Sequence, residues 1–247
     1  MKNHILAAAV ALLAAGCAGL PESETLRLIS VPVASGAIVP DGIDSEEAWS
    51  SAVAVPLLVP ADRPGSPECV QRGSARFLCD ETYLYLYAEL DDDDVVQHGV
   101  NHHQNLYETG DVVELFLSPD GTLRYWEILL APNGCYSVFF FPSPGRKIFC
   151  SAARNNVSLQ VAAHVDGTMN DWNDRDRGWS LEAAIPLAEL TRFGDRFESG
   201  SWRILVGRYN YSATLPAIEY SAFPQLPVTN FHLRERYAEL MIPAGER

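Results

Sequence analysis

Asp91, Asp92, Asp93 and Asp94 form the densest run of charge in the sequence. Hard oxygens gathered in a loop suit Ca2+, which takes roughly six to eight oxygen ligands. The spacing is not that of an EF-hand, and a solvated turn is the plainer alternative. His98, His102 and His103 form a second cluster. A His-x-x-x-His pair holds a transition metal when both rings share a helix face, but Gly99 and the neighbouring asparagines read as loop. Trp172 stands in the polar run Asn170-Asp171-Trp172-Asn173-Asp174-Arg175. There an indole is either an exposed stacking platform or a ring folded back onto a sheet. Glu114 and Glu127 would serve as a glycosidase acid–base pair if their carboxyls stood about 5–10 Å apart in a cleft. No nucleophile motif accompanies them.

Cysteine chemistry depends on the compartment. Lys2 precedes an apolar run over residues 5–15, too short to span a bilayer comfortably and of the length of a signal h-region. Leu13-Ala14-Ala15-Gly16-Cys17 is similar to a bacterial lipobox, with Ala14 where the strict pattern has Leu. The expectation is a signal peptide over residues 1–16, an exported chain lipidated at Cys17, and a tether with the first strand over residues 17–36. The lipid would attach the protein to a bacterial membrane, and Ala18 rather than Asp after the cysteine favours the outer membrane or cell surface. Cys69, Cys79, Cys135 and Cys150 then lie in an oxidising space that permits disulfides. Local pairing, Cys69 with Cys79 and Cys135 with Cys150, is expected; buried free thiols are the alternative. No CxxC spacing points to a metal.

Side chains of these kinds act only where a scaffold holds them. The 247 residues include 32 Asp+Glu and 18 Lys+Arg, a formal charge of −14, and 47% hydrophobic residues. That composition is globular rather than disordered. The negative charge argues against nucleic acid, whose phosphates select clustered Lys and Arg. It favours neutral or cationic ligands, or a bound cation. Residues 83–90, 111–117, 157–165, 179–185 and 202–211 alternate apolar and polar with the period of a strand. Residues 125–130 and 136–141 are apolar-rich, as strands covered on both faces are. Two short helices are expected, at 44–49 behind a capping residue and at 186–193 with Pro at the first turn. Many strands with almost no helix predict an all-β protein, a β-sandwich, in a single domain. Trp49, Trp179 and Trp202 read as core. The stripe Tyr83, Tyr85, Tyr87 reads as sheet packing, with a ligand groove as the alternative, and Glu182 as half of a salt bridge.

Residues 39–242 carry motifs in a fixed order. They are Asp41-Gly42-Ile43-Asp44-Ser45-Glu46-Glu47-Ala48-Trp49; Asp80-Glu81-Thr82-Tyr83-Leu84-Tyr85; Tyr107-Glu108-Thr109-Gly110-Asp111-Val112-Val113-Glu114-Leu115-Phe116; Tyr125-Trp126-Glu127 with Ala131-Pro132-Asn133-Gly134; Gly178-Trp179-Ser180-Leu181-Glu182-Ala183-Ala184-Ile185-Pro186; Trp202-Arg203 through Arg208; and Asn230-Phe231-His232 with Tyr237-Ala238-Glu239-Leu240. Their order resembles that of the family 9 carbohydrate-binding modules and the wider DOMON-like group, whose pattern runs D-G-x-x-D-E-x-x-W, D-x-x-L-Y, W-E-x-D-x-V-E-x-F, Y-Y-E then N-P, G-W-x-x-E-x-x-I-P, W-R-x-x-x-x-R and N-F-H with Y-G-x-L.

The resemblance implies a β-sandwich module over residues 37–247. It implies non-catalytic binding of a poly- or oligosaccharide at the cell surface or periplasm, supporting polysaccharide degradation or uptake beside glycoside hydrolases or transporters. Members sandwich a terminal sugar between two aromatics. Here Tyr107 is the first and Tyr220 or Phe231 the second, with Glu114 contacting sugar hydroxyls; core packing is the alternative for Phe231. Two positions depart from the pattern: Tyr107 replaces Trp, and Leu129 falls where members carry a sugar-contacting Arg. Glu114 read as a strand carboxylate paired with Arg203 or Arg208 is the structural alternative. Members often hold structural calcium, for which residues 91–94 supply the carboxylates. Three other functions are set beside this one: a glycoside hydrolase on Glu114 and Glu127; a haem domain as in some DOMON relatives, ligated from Met169, His164 or His232; and a structural lipoprotein with a degenerate sugar site.

Overall fold

The structure, a computed structural model, describes residues 27–65, 67–149 and 157–243, with the backbone alone at 148 and 149. The expected signal peptide, Cys17 and Cys150 lie outside the described residues. In chain order the strands are β1 (Leu28–Ser30), β2 (Val55–Pro56), β3 (Gly73–Cys79), β4 (Tyr83–Asp91), β5 (Val112–Pro119), β6 (Tyr125–Leu130), β7 (Tyr136–Phe141), β8 (Ile148–Phe149), β9 (Gln160–Asp166), β10 (Gly178–Pro186), β11 (Trp202–Asn210), β12 (Glu219–Phe223) and β13 (Ala238–Met241). They form two sheets. One runs β1-β13-β11-β5-β6-β7-β8 with β12 also on β11; the other runs β2-β3-β4-β10-β9. β1 and β13 pair in parallel, and the remaining named pairs are antiparallel. The expected all-β sandwich is the observed fold.

Alternation explains the layers. Val113, Leu115 and Leu117 of β5, with Trp126, Ile128 and Leu130 of β6, face Phe77, Leu84, Leu86, Leu181 and Ile185 of the smaller sheet in one buried cluster. Each side chain so buried contributes about 1.5–3 kcal/mol. Trp49, Trp179 and Trp202 are buried as expected. Tyr85 and Tyr87 pack with Trp49, Leu78 and Ala184 on the outer face of the small sheet, so the tyrosine stripe is packing and not a ligand groove.

Helix is scarcer than the sequence suggests. The first expected helix is a 3-10 turn at Glu47–Ser51, with no side-chain cap. The second is a single α-helical turn, α1 (Leu187–Leu190), entered through Pro186.

Glu182 departs from expectation. It forms no salt bridge. Its Oε2 accepts the backbone N–H groups of Asp41 and Gly42 at 2.8 and 3.0 Å, and its Oε1 accepts Trp49 Nε1–H at 2.8 Å. The opening motif and the G-W-x-x-E strand are therefore one fastening. Gly42, at φ 92°, lets the chain lie against β9, where a Cβ would meet the Ala163 carbonyl carbon at 2.7 Å.

The expected disulfides do not form among the described residues. Cys69, Cys79 and Cys135 are buried free thiols. Cys69 precedes β3 and Cys79 ends it. At about 3.3 Å per residue the strand holds them far beyond the roughly 7 Å limit of a bridge.

Candidate functional site

Parity places a set of polar groups on the outer face of the large sheet. Glu114 pairs in register with Leu129 on one side and Gly207 on the other; Glu127 lies opposite Phe116 and Phe139. The two glutamates are diagonal neighbours across the β5–β6 ladder, on the order of 7 Å apart along the backbone. They form the floor of a cleft of about 370 Å³, which Tyr107, Phe141, Lys147, Tyr209, Tyr220 and residues 229–232 complete.

Aromatic rings form the walls. Tyr107 rises from the 3-10 turn Leu106–Glu108. That turn is held by Gln97 Nε2 donating to the Leu106 carbonyl at 3.3 Å and by the Tyr211 hydroxyl donating to the Tyr107 carbonyl. The Tyr107 ring leans on that of Tyr209, centroids 5.8 Å apart, and Tyr209 in turn meets Tyr220 edge-on at 4.8 Å and Phe231 edge-on at 5.6 Å. Phe231 is 5% exposed, so it both packs and lines the cleft. It lies on bare backbone: a Cβ on Gly207 would come within 2.5 Å of its ring.

The floor carries unusual charge. Glu114 is 3% exposed and accepts no hydrogen bond from the described residues. Burial, then repulsion from Glu127, pushes its carboxyl well above the usual range, against the pull of Lys147. Burial also raises Glu127 to about 7, again opposed by Lys147. Lys147 Nζ stands 4.0 Å from Glu127 Oε1, while Glu127 Oε2 is buried without a partner. The two carboxyls therefore do not both ionise near neutral pH.

Solved structures of the same architecture exist. A Bacteroides uniformis protein, for which carbohydrate binding is proposed, superposes with a TM-score of 0.69 at 15% identity, covering 88% of this chain and 99% of its own. A family 9 module from Caldicellulosiruptor kristjanssonii in complex with cellotriose gives 0.53 at 14% identity, over 89% and 95% of the two chains. The same kind of module in complex with glucose gives 0.51 at 14%, over 88% and 98%. The fold is that of a family 9 carbohydrate-binding module. No protein-family model and no curated protein matches the chain.

On this family 9-like fold, Tyr107, Glu114, Tyr220 and Phe231 come together as the sequence led one to expect. Trp172 does not join them. It is 75% exposed on the β9–β10 turn and lines no part of the cleft. Leu129 is buried in the apolar cluster of the outer face. The cation comes instead from Lys147, whose ammonium lies 3.5 Å from the Phe139 ring centroid and 5.5 Å from that of Tyr107. Lys147, Tyr209 and Gly207 escaped the sequence reading. Lys147 sits in an irregular turn, and Gly207 occupies an unspecified place in W-R-x-x-x-x-R.

Arg203 and Arg208 do not pair with Glu114. Arg203 meets Asp120 at 3.1 Å, and Arg208 points into the sandwich to Asp92 at 2.9 Å. Three of the four aspartates proposed for calcium have protein partners. Asp92 is committed to Arg208, and Asp94 Oδ2 accepts the Ala213 N–H at 2.7 Å. Asp93 is taken up by Gln71, Ser212, Thr214 and Arg175. Among the described residues no group of three or more His, Cys, Asp or Glu is placed to hold a metal ion. His102 and His103 pack on Tyr136 instead, His102 Nδ1 accepting the Tyr136 N–H at 3.1 Å. The suggested haem ligands are dispersed: His164 lies on β9 of the small sheet, Met169 packs on the central core, and His232 borders the cleft on the other sheet.

Proposed function

We propose that this protein is a non-catalytic carbohydrate-binding module that holds a sugar in the cleft over Glu114. The observation that carries this reading is the cleft itself: Tyr107, Tyr209, Tyr220 and Phe231 line it, and two carboxyls form its floor. Aromatic faces stack on the apolar faces of sugar rings, and carboxyls accept from ring hydroxyls. A volume of about 370 Å³ is at the small end of ligand sites, which suits a chain end or short oligosaccharide. The cellotriose and glucose held by modules of the same fold support the ligand class.

Both glutamates rise from neighbouring strands on one floor, so they meet the same side of a ligand. A glycosidase needs its pair to flank the scissile bond, and that geometry favours binding over cleavage. We further propose export and lipid anchoring through Cys17, with the module presenting saccharide to degradative enzymes or transporters. Retention on cellulose, xylan and oligosaccharide arrays tests the binding. No retention on a broad panel, or Tyr107→Ala and Tyr220→Ala variants that bind as the parent does, overturns it. Reducing-sugar release by the purified chain would overturn the non-catalytic part.

A further inference from the structure

The cleft floor is short of hydrogen-bond donors. Glu114 accepts none from the described residues, and Glu127 Oε2 is buried without a partner. A buried acceptor left unpaired is costly, so a ligand that fits must bring donors. Charge narrows the choice. Among the described residues one ammonium, that of Lys147, serves two carboxyls. Among the described residues the remaining ionisable groups around Glu114 are Tyr107 of the 3-10 turn, Tyr209 of β11, Tyr220 of β12 and His232 of the loop after β12, with Tyr211 and Tyr237 within reach of its charge. None adds a lasting positive charge: the tyrosines are acids, and partial burial and then Lys147 press the His232 pKa below its usual value. The walls are π faces, which attract cations. The cationic side chains at the rim already use them, Lys147 5.5 Å from the Tyr107 centroid and Arg63 5.3 Å from that of Tyr220. The whole chain, at −14, draws cations toward itself.

We infer that the cleft selects sugars carrying a protonated amine, aminodeoxy sugars and their oligomers, over neutral and acidic sugars, and that Glu114 is the group that reads the charge. This rests on the sugar-binding reading above. The sugar ring stacks on the aromatic lining while its ammonium supplies the missing donors and counter-charge. A neutral sugar offers hydroxyl donors without charge, and a uronic acid adds a further carboxylate to a floor that already has two.

The test is calorimetric titration of the full chain near pH 6, where the glucosamine amines already carry their protons, with a β-1,4-linked glucosamine dimer, its N-acetylated form, cellobiose and a galacturonate dimer. The glucosamine dimer is expected to bind about tenfold tighter than cellobiose and the N-acetylated dimer, with galacturonate weakest. Its binding is also expected to release protons, read as a heat that varies with the ionisation enthalpy of the buffer. Glu114→Gln should bring the glucosamine-to-cellobiose affinity ratio close to one. Should that variant fail to fold, the proton release of the parent chain carries the test alone. Equal or tighter binding of cellobiose, absence of proton release, or an unchanged ratio in a folded Glu114→Gln variant overturns the inference and leaves sugar binding standing. Failure of all four ligands to bind overturns both.

Discussion

Glu127 keeps its proton to about pH 7 because burial outweighs the attraction of Lys147. Its folded-state pKa lies above the 4.5 of an ordinary glutamate, so the folded state binds more protons between those values. The resulting stabilisation is complete below about pH 4.5 and is lost as pH rises through about 7. Glu127→Gln removes the titration. Thermal melts should therefore show the variant gaining on the parent between pH 5 and pH 7.5; a gap that does not move with pH contradicts the assignment. Tyr107 is a simpler test. Its ring is half-buried, so Tyr107→Ala should cost little stability but lose stacking of about 0.5–1.5 kcal/mol, a roughly three- to tenfold weaker sugar Kd by titration. Glu114, Tyr107 and Phe231 were legible in the sequence because ordered motifs fix their positions, whereas Tyr220 lies in no motif and stood only as the alternative to Phe231. Lys147 was not legible, since a turn carries no period, and Trp172, read as either an exposed platform or a ring folded back, stands exposed and apart from the cleft.

Between the scale of side chain and sheet stand two fastenings. Glu182 binds three N–H donors from the segment that crosses the small sheet. Glu182→Ala leaves those donors facing a cavity. An unsatisfied buried donor costs about 1–3 kcal/mol, and water entering the cavity recovers part of the sum, so a combined destabilisation of roughly 2–4 kcal/mol is expected in urea unfolding. Hydrogen exchange should quicken over residues 41–52 while the large sheet keeps its protection; uniform quickening would place the effect elsewhere. Gly207 is the second. Gly207→Ala sets a methyl under the Phe231 ring, where the gap is 2.5 Å, and should weaken sugar binding with a small fall in Tm. Unchanged affinity would show that Phe231 moves aside freely. Strands were readable from alternation, and the motif glutamate on β10 was visible too. Its partners were not, because a carboxylate on a strand invites a search for Arg, whereas backbone N–H groups have no letter in a sequence.

At the scale of the molecule, Arg208 ties the two layers. It leaves the large sheet on its inner face and donates to the carbonyls of Gln71, Arg72 and Asp91 and to Asp92 Oδ2 at 2.9 Å. Arg208 and Asp92 are 1% exposed. Arg208→Met strands a buried carboxylate and should cost about 3–5 kcal/mol; adding Asp92→Asn should restore a good part of it, as denaturant titration would show. Equal losses in the single and double variants would mean that the carbonyl contacts, not the ion pair, hold the sheets. The sandwich itself was legible from the strand count, and its pairing order was not, since β1 finds its partner only at the other end of the chain. Leu28, Ile29 and Ser30 lie beside Glu239, Leu240 and Met241, roughly two hundred residues away, a loop that closes late on entropic grounds. During synthesis, which proceeds from the N-terminus, the first strand must therefore wait for the last, and a chain cut short before Ala238 would carry an unsealed seam open to the strands of its neighbours.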